Sequence, residues 1–332
     1  MELFKSDGND SFSTLNRTDL RELLIYLSKY FITYRETLEL PDYITFGTEI
    51  EFEQGSSDTL YKISKFMNRN YKSWEVKSDD SLEDGGDELA SPILIDEKTV
   101  WTDLKTICDY LKSEGCKADK YAGAHIHYGA MILGNDYTKW KDFIKLYVPY
   151  EHILYRFAYG EMTSFRREGY HYAYPTIDLL KELYKKNKKL CFSEFIKLFK
   201  SYNKYNGVNL VIREDGKNPI GQKDTIEFRN PNGTINSIVW QNNINAYGKL
   251  LKAIREETLD IKFLNYKFEH SIKPYKEIKF LYNEIDLKNV LEFVDLIFDN
   301  NLDKLNFLRQ YLGNFKGGYE DEEYDYKKCF TK

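Results

Sequence analysis

Glu49-Ile50-Glu51-Phe52-Glu53 alternates acid with hydrophobe, and two further segments repeat the pattern with other charges: His125-Ile126-His127 and Glu227-Phe228-Arg229. Successive side chains of a strand point to opposite faces, so in each segment the ionisable residues share one face and the Ile or Phe lies behind it. The spacing predicts strands of a sheet with one apolar side and one charged side. A face holding carboxylates, imidazoles and a guanidinium would be repelled and desolvated as an ordinary core, so it needs cations or anionic ligands to balance it. These segments predict a charged, metal-dependent cleft.

Around them, residues 18–36 read as an amphipathic helix capped by Thr18, with Leu20, Leu23, Leu24 and Leu27 on one stripe. Strands are expected over 43–52, 71–77, 88–94, 123–131 and 223–229. Helices are expected over 57–68, 98–114, 137–159, 176–187, 193–202, 234–257 and most of 281–312, with a kink at Pro149. Asn230-Pro231-Asn232-Gly233 is a strong turn signal. Because the strands alternate instead of running continuously apolar, the expected class is α+β, a mostly antiparallel sheet with a polar concave side, backed by helices. One core over 1–332 is expected, made of a motif core at 44–245, the N-terminal helix 18–36 and a C-terminal helical extension at 250–315.

Hydrophobic residues make up 42% and charged residues 30% of the 332, which excludes a disordered chain. A net charge of -5 argues against a large nucleic-acid footprint. The opening residues lack the apolar run of a secretory signal and no stretch is long and uncharged enough to span a bilayer, so a cytoplasmic location without membrane contact is expected. Cys108, Cys116, Cys191 and Cys329 are too scattered for a disulfide framework or a thiolate zinc site. Heavy use of Lys, Asn, Ile and Tyr points to an AT-rich genome, such as that of a phage or a low-GC bacterium.

Taken singly, the motifs are weak: Glu49, Glu51 and Glu53 fit the solvated face of an amphipathic strand, and His125 and His127 fit satisfied structural histidines. Their order along the chain is more specific. Gly47-Thr48-Glu49-Ile50-Glu51-Phe52, the segment from Trp74 to Leu82, Glu88-Leu89-Ala90-Ser91-Pro92, His125-Ile126-His127 and Thr225-Ile226-Glu227-Phe228-Arg229 together resemble the amidoligase family, a branch of the carboxylate-amine ligases that include glutamine synthetase and glutamate–cysteine ligase. The resemblance implies a glutamine synthetase catalytic-like curved sheet and ATP-dependent amide formation with Mg2+ or Mn2+ between sheet and phosphates. It also implies roles. Glu49, His125 and Glu227 would hold the metal near the transferred phosphoryl group, and Glu51 and Glu88 the metal nearer the acyl acceptor, with Asp80 as a further carboxylate. Arg229 would contact the γ-phosphate, His127 would face the substrate, and Lys77 and Ser81 would lie along the nucleotide. Where family members carry an arginine before an Asn-x-Tyr-Cys-like stretch, this chain has Ser164-Phe165-Arg166-Arg167-Glu168-Gly169-Tyr170-His171, so Arg166 or Arg167 would bind a substrate carboxylate or phosphate.

The chemistry agrees with these residue types. A carboxylate is too electron-rich to react with an amine until ATP converts it to an acyl phosphate, and cations on the phosphate oxygens supply most of the stabilisation of that transfer. Carboxylate ligands suit Mg2+, and an imidazole makes Mn2+ an easy substitute. The donor and acceptor stay open among amino acids, peptides, proteins and modified nucleotides. Two other classes fit parts of the pattern: a metal-dependent hydrolase, which would need further histidines, and a catalytically retired ligase scaffold used for binding. His152, His171 and His270 are assigned to surface or packing.

Overall fold

The computed structural model describes residues 4–53, 56–78, 82, 86–118, 121–160, 172–202, 204–212, 219–274 and 284–313. Six strands, β1 (Phe46–Phe52), β2 (Glu75–Ser78), β3 (Asp87–Ala90), β4 (Ala124–Gly129), β5 (Val208–Val211) and β6 (Thr225–Phe228), form one sheet in the order β2-β3-β1-β4-β6-β5. Every neighbouring pair is antiparallel. The helices described are α1 (Arg17–Ser28), α2 (Ser57–Asn70), α3 (Lys98–Ser113), α4 (Tyr137–Phe157), α5 (Ile177–Lys186), α6 (Phe192–Lys200), α7 (Ser237–Arg255), α8 (Ile261–Glu269), α9 (Glu284–Ile297) and α10 (Asn301–Leu312). The class is α+β, as the alternation predicts. Among the described residues no helix is long and apolar enough to cross a membrane.

The apolar face of the sheet carries Ile50, Leu89, Ile126 and Phe228, all fully buried. Each such burial stabilises by about 1.5–3 kcal/mol. Trp101 of α3 stacks on Phe46 with ring centroids 5.5 Å apart, and Tyr247 of α7 stacks on Phe228 at 4.3 Å. Phe143 and Tyr147 of α4 meet the same Phe228 ring. Helices therefore cover one side of the sheet, and the charged side is left for other work.

Several boundaries differ from the sequence reading. The N-terminal helix ends at Ser28, not at residue 36, and Asn16 caps it in place of Thr18, accepting from the Thr18 and Asp19 N–H groups at 2.9 and 3.0 Å. Beyond it, side chains of other elements claim the backbone donors a helix would need. Arg35 N–H donates to Gln241 at 2.9 Å, and Leu38 and Leu40 N–H donate to the Asp96 carboxylate at 2.9 Å. The long helix expected from Thr234 starts at Ser237, because Asn236 supplies the cap to Ile238 N–H. The C-terminal extension is interrupted after Arg255, resumes as α8 behind the Asp260 cap, and ends at Leu312. Helix α4 runs through Pro149.

His152 sits on the buried side of α4, where burial, and after it the charge of Lys267, holds its imidazole down at about 3 against an ordinary 6.5. Between those values only the unfolded chain takes up the proton, so stability falls as pH drops from 6.5 toward 3. The slope this residue contributes is about 1.4 kcal/mol per pH unit. Urea midpoints across that window should fall more steeply for the wild type than for His152→Gln; parallel curves would show that the imidazole titrates alike in both states.

Candidate functional site

Directly opposed residues of an antiparallel pair share a face, so the register assembles the charged side in rows. Lys77, Glu88 and Glu51 form one; Glu75, Ala90, Glu49 and His125 the next; Gly47, His127, Glu227 and Asn209 the third. A one-residue slip in β1 or β4 would turn Ile50 or Ile126 onto this side and bury the charges instead. Burial of those isoleucines therefore fixes the placement of the charges.

Glu49 is central. Its Oε2 lies 3.0 Å from His125 Nδ1 and its Oε1 lies 3.2 Å from His127 Nε2. His125 Nε2 faces Glu51 Oε1 at 3.5 Å, and His127 Nε2 faces Glu227 Oε1 at 3.7 Å. Two groups with metal-ligand spacing result, Glu49–Glu88–His125 and Glu49–His127–Glu227, and they share Glu49. Arg229 donates to Glu227 Oε1 at 2.6 Å and, through Nε, to the Tyr172 carbonyl at 3.2 Å. Lys77 Nζ lies 3.5 Å from Glu88 Oε1.

Burial alone would raise the Glu49 carboxyl, but hydrogen bonds and charge from His125 and His127 outweigh it and hold the group well below the usual carboxylate range. Burial likewise opposes ionisation of Glu227, and Arg229 followed by the two histidines overcomes it, leaving that carboxyl lowered as well. Both side chains are thus anionic and ready to ligate a cation. The donor set of carboxylates and imidazoles fits a divalent ion with mixed oxygen and nitrogen coordination. The described geometry pairs His127, expected to face substrate, with Glu49 and Glu227, and brings His125 toward Glu51 and Glu88.

A cavity of about 350 Å³ runs along this face at the Gly47 end, lined among others by Glu49, Lys77, Ala90, His127 and Thr225. A Cβ added at Gly47 would meet Ser91 Oγ at 3.5 Å, an ordinary contact. The strand therefore has no structural need for glycine here, and its effect is to keep the cavity floor low.

Two residues of the site have no role in the sequence reading, although Thr225 opens one of its motifs. Asn209 donates to Glu227 Oε2 at 3.0 Å, and Thr225 Oγ1 lies 3.1 Å from His127 Nδ1. Thr225 was legible, standing two before Glu227 on the same strand face. Asp80, Ser81, Arg166 and Arg167 lie outside the described residues.

A family model described as "Putative amidoligase enzyme" matches residues 42–250, which hold every strand of the sheet and all the carboxylates and imidazoles above. Comparison with curated proteins finds no match. Among solved structures, one described as the crystal structure of a novel glutamine synthase homolog is 10% identical, with a TM-score of 0.40, over 88% of this chain and 68% of that one. Since the family match spans more than half of the 332 residues, the chain belongs to the amidoligase family.

Proposed function

We propose that the protein is an ATP-dependent carboxylate-amine ligase that forms an amide through an acyl phosphate. The observation that carries this reading is the charged sheet face, where two ligand groups share Glu49 and Arg229 stands against one of them. In the first step a substrate carboxylate oxygen attacks the γ-phosphorus of ATP, and ADP departs with the electrons of the broken P–O bond. In the second the amine nitrogen attacks the acyl carbon, phosphate leaves, and the nitrogen gives up a proton.

Glu49, Glu51, Glu88, His125 and Glu227 would hold Mg2+ or Mn2+. Divalent ions bound there supply the positive charge that neutralises the phosphoryl oxygens during transfer. Arg229, already anchored through Nε on a backbone carbonyl, would extend its terminal nitrogens to the γ-phosphate, a geometry suited to paired oxygen acceptors. The cavity beside Gly47 would take the nucleotide, with Lys77 at its edge. Small or peptidic carboxylates and amines are the substrate class, and Arg166 and Arg167 are the candidates for gripping one of them. The hydrolase alternative, which needs further histidines, loses support because among the described residues His152 is buried on α4 and His270 packs against Tyr266 with tilted rings 4.3 Å apart.

Calorimetry with a non-hydrolysable ATP analogue tests the reading. Binding should require Mg2+, should vanish in Glu227→Ala, and should weaken at least about tenfold in Gly47→Val, a loss of about 1.4 kcal/mol. A folded wild type that binds no nucleotide with metal present would remove the ligase assignment.

A further inference from the structure

Helix α4 packs on the helix-covered side of the sheet, yet two of its residues reach the chain segment that holds Arg229. Glu151 and Tyr155 stand four residues apart and so share a face of the helix, and neither is more than 2% exposed. The Glu151 carboxyl accepts from the Thr176 N–H at 2.6 Å, from the Ile177 N–H at 2.9 Å and from the Thr176 hydroxyl. The Tyr155 hydroxyl donates to the Ala173 carbonyl at 2.7 Å. Together these bonds fix the chain from Ala173 to Ile177.

The same segment is tied to the sheet. Tyr174 N–H donates to the Tyr205 carbonyl at 2.7 Å, the Tyr174 carbonyl accepts from Gly207 N–H at 2.7 Å, and the Gly207 carbonyl accepts from Arg229 N–H at 2.9 Å. The Tyr172 carbonyl, in the peptide next to that of Ala173, accepts from Arg229 Nε at 3.2 Å. A Cβ added at Gly207 would fall 2.2 Å from the Tyr155 hydroxyl oxygen, so only glycine lets the phenol close up against this backbone. Neighbouring peptide planes are joined by two soft dihedrals, so a bond that fixes the Ala173 carbonyl also limits where the Tyr172 carbonyl can point. Capping of α5 accounts for a carboxyl at Thr176 and Ile177, and a buried carbonyl at Ala173 needs a donor. Neither need calls for both to come from one face of α4 onto the residues next to the anchor of Arg229.

We infer that Tyr155, with Glu151 one turn before it, is a positioning residue for Arg229: from behind the sheet it holds the Tyr172 carbonyl where that carbonyl anchors Nε, and so sets the aim of the guanidinium on the charged face before any ligand arrives. The inference deepens the ligase reading, in which the terminal nitrogens of Arg229 meet the γ-phosphate, and rests on that reading for the ligand alone. One of those nitrogens already meets Glu227 Oε1 at 2.6 Å. A guanidinium grips a pair of phosphate oxygens only when its plane is turned toward them. A side chain anchored beforehand also gives up less freedom on binding, which strengthens the grip.

The test uses the full chain and two readouts. Magnetic resonance follows the exchange of the Arg229 Nε–H with water in the free protein, the signal being identified by its loss in Arg229→Lys, and calorimetry follows a non-hydrolysable ATP analogue with Mg2+ present. Tyr155→Phe, which removes one oxygen and keeps the buried ring, should speed the exchange at least about fivefold and weaken the analogue by a similar factor. In an Arg229→Lys background, which keeps the charge but has no Nε, the same substitution should change the affinity by less than about twofold. Glu151→Gln should act in the same direction, because its NH2 would face one of the three donors that the carboxyl now accepts. A merely structural part for Tyr155 would lower the urea midpoint and leave the Nε–H exchange where it is. Wild-type exchange in Tyr155→Phe therefore overturns the inference, as does equal weakening of the analogue in both backgrounds. A wild type that binds no nucleotide removes the ligase reading, and the Nε–H exchange then decides by itself whether Tyr155 holds Arg229.

Discussion

Glu49→Gln is expected to empty the site, raising the Mn2+ dissociation constant at least about 100-fold while the sheet stays folded. Loss of a group that only orients a ligand costs metal affinity about 10–100-fold, and a carboxylate shared by both ligand groups should cost no less. The substitution keeps the shape of the side chain and removes the charge that His125 and His127 hold in place. Its amide would also set an N–H against one of the two ring nitrogens now facing carboxylate oxygens. The backbone of β1 is paired on both sides, with Glu49 opposite Ala90 and His125, so the strand does not depend on the side chain for its place. Glu88→Gln is the informative comparison, because Glu88 belongs to only one of the two groups. It should weaken one ion and spare the other. Binding of Mn2+ by Glu49→Gln within about threefold of the wild type would place the ions elsewhere, a difference of only about 0.7 kcal/mol.

The site depends on a property of antiparallel pairing that sequence spacing alone does not give. Each x-charge-x-charge segment fixes which residues share a face, but only the register decides which charges become neighbours. Glu49 meets His125 because β1 and β4 pair with Gly47 opposite His127, and Glu227 meets His127 because β6 pairs with β4 in the adjoining row. Gly47 and Ala90 are the positions in those rows that carry almost no side chain, and the cavity lies over them. The charges thus gather at the centre of the sheet with room kept beside them.

That distinction explains what was legible. The strands bearing Glu49 and His125 alternate over seven and six residues, with isoleucine behind, so a period of two can be read, and the four-residue strands of Glu88 and Glu227 are marked by a charged residue beside the buried Leu89 or Phe228. Strand β5, Val208-Asn209-Leu210-Val211, is equally short and carries no charged residue to mark a face, so it does not stand out from a loop. Asn209, the residue there that donates to Glu227, was hidden with it. Helix α8 falls within the expected helical extension of 250–315 but was not delimited as an element, although Asp260 caps it through Lys262 and Phe263 N–H groups; its nine residues hold little more than two turns of pattern. The overlong N-terminal helix failed for the opposite reason. Nothing local stops it at Ser28, and the segment that follows is drawn away by Gln241, Asp96 and Asp303, residues distant in sequence. Tertiary contacts overrode local propensity there. The choice of His127 as a substrate-facing residue came from the resemblance, whereas its closeness to Glu49 and Glu227 needed the register.

Asp303→Ala is expected to destabilise the protein by about 3–5 kcal/mol, the range for breaking a buried ion pair by removing one partner. Asp303 is fully buried at the start of α10, and four groups converge on its carboxylate. Arg35 lies at 2.5 Å, Asn245 Nδ2 at 2.7 Å, Asn300 Nδ2 at 2.9 Å and Lys249 Nζ at 3.5 Å. Truncation would strand the side-chain N–H of buried Asn245, would take its carboxylate from the Arg35 guanidinium, which is only 12% exposed, and would leave buried Lys249 to the half-exposed Asp299. Separation is not what sets the cost. Lys98 and Glu36 approach to 2.6 Å, yet both side chains are more than 60% exposed, so solvent screens the pair and Lys98→Ala should shift stability by no more than about 1 kcal/mol. Urea midpoints of the two variants, measured together, decide the point: a shift for Asp303→Ala no larger than that for Lys98→Ala would mean that the buried network is solvated after all. Metal binding should be nearly unchanged in folded Asp303→Ala, because the carboxylate anchors the segment leading to β1 and does not touch the sheet face where Glu49 lies. A large loss of Mn2+ affinity in that variant would show that β1 takes its position from this anchor and not from its pairing with β3 and β4.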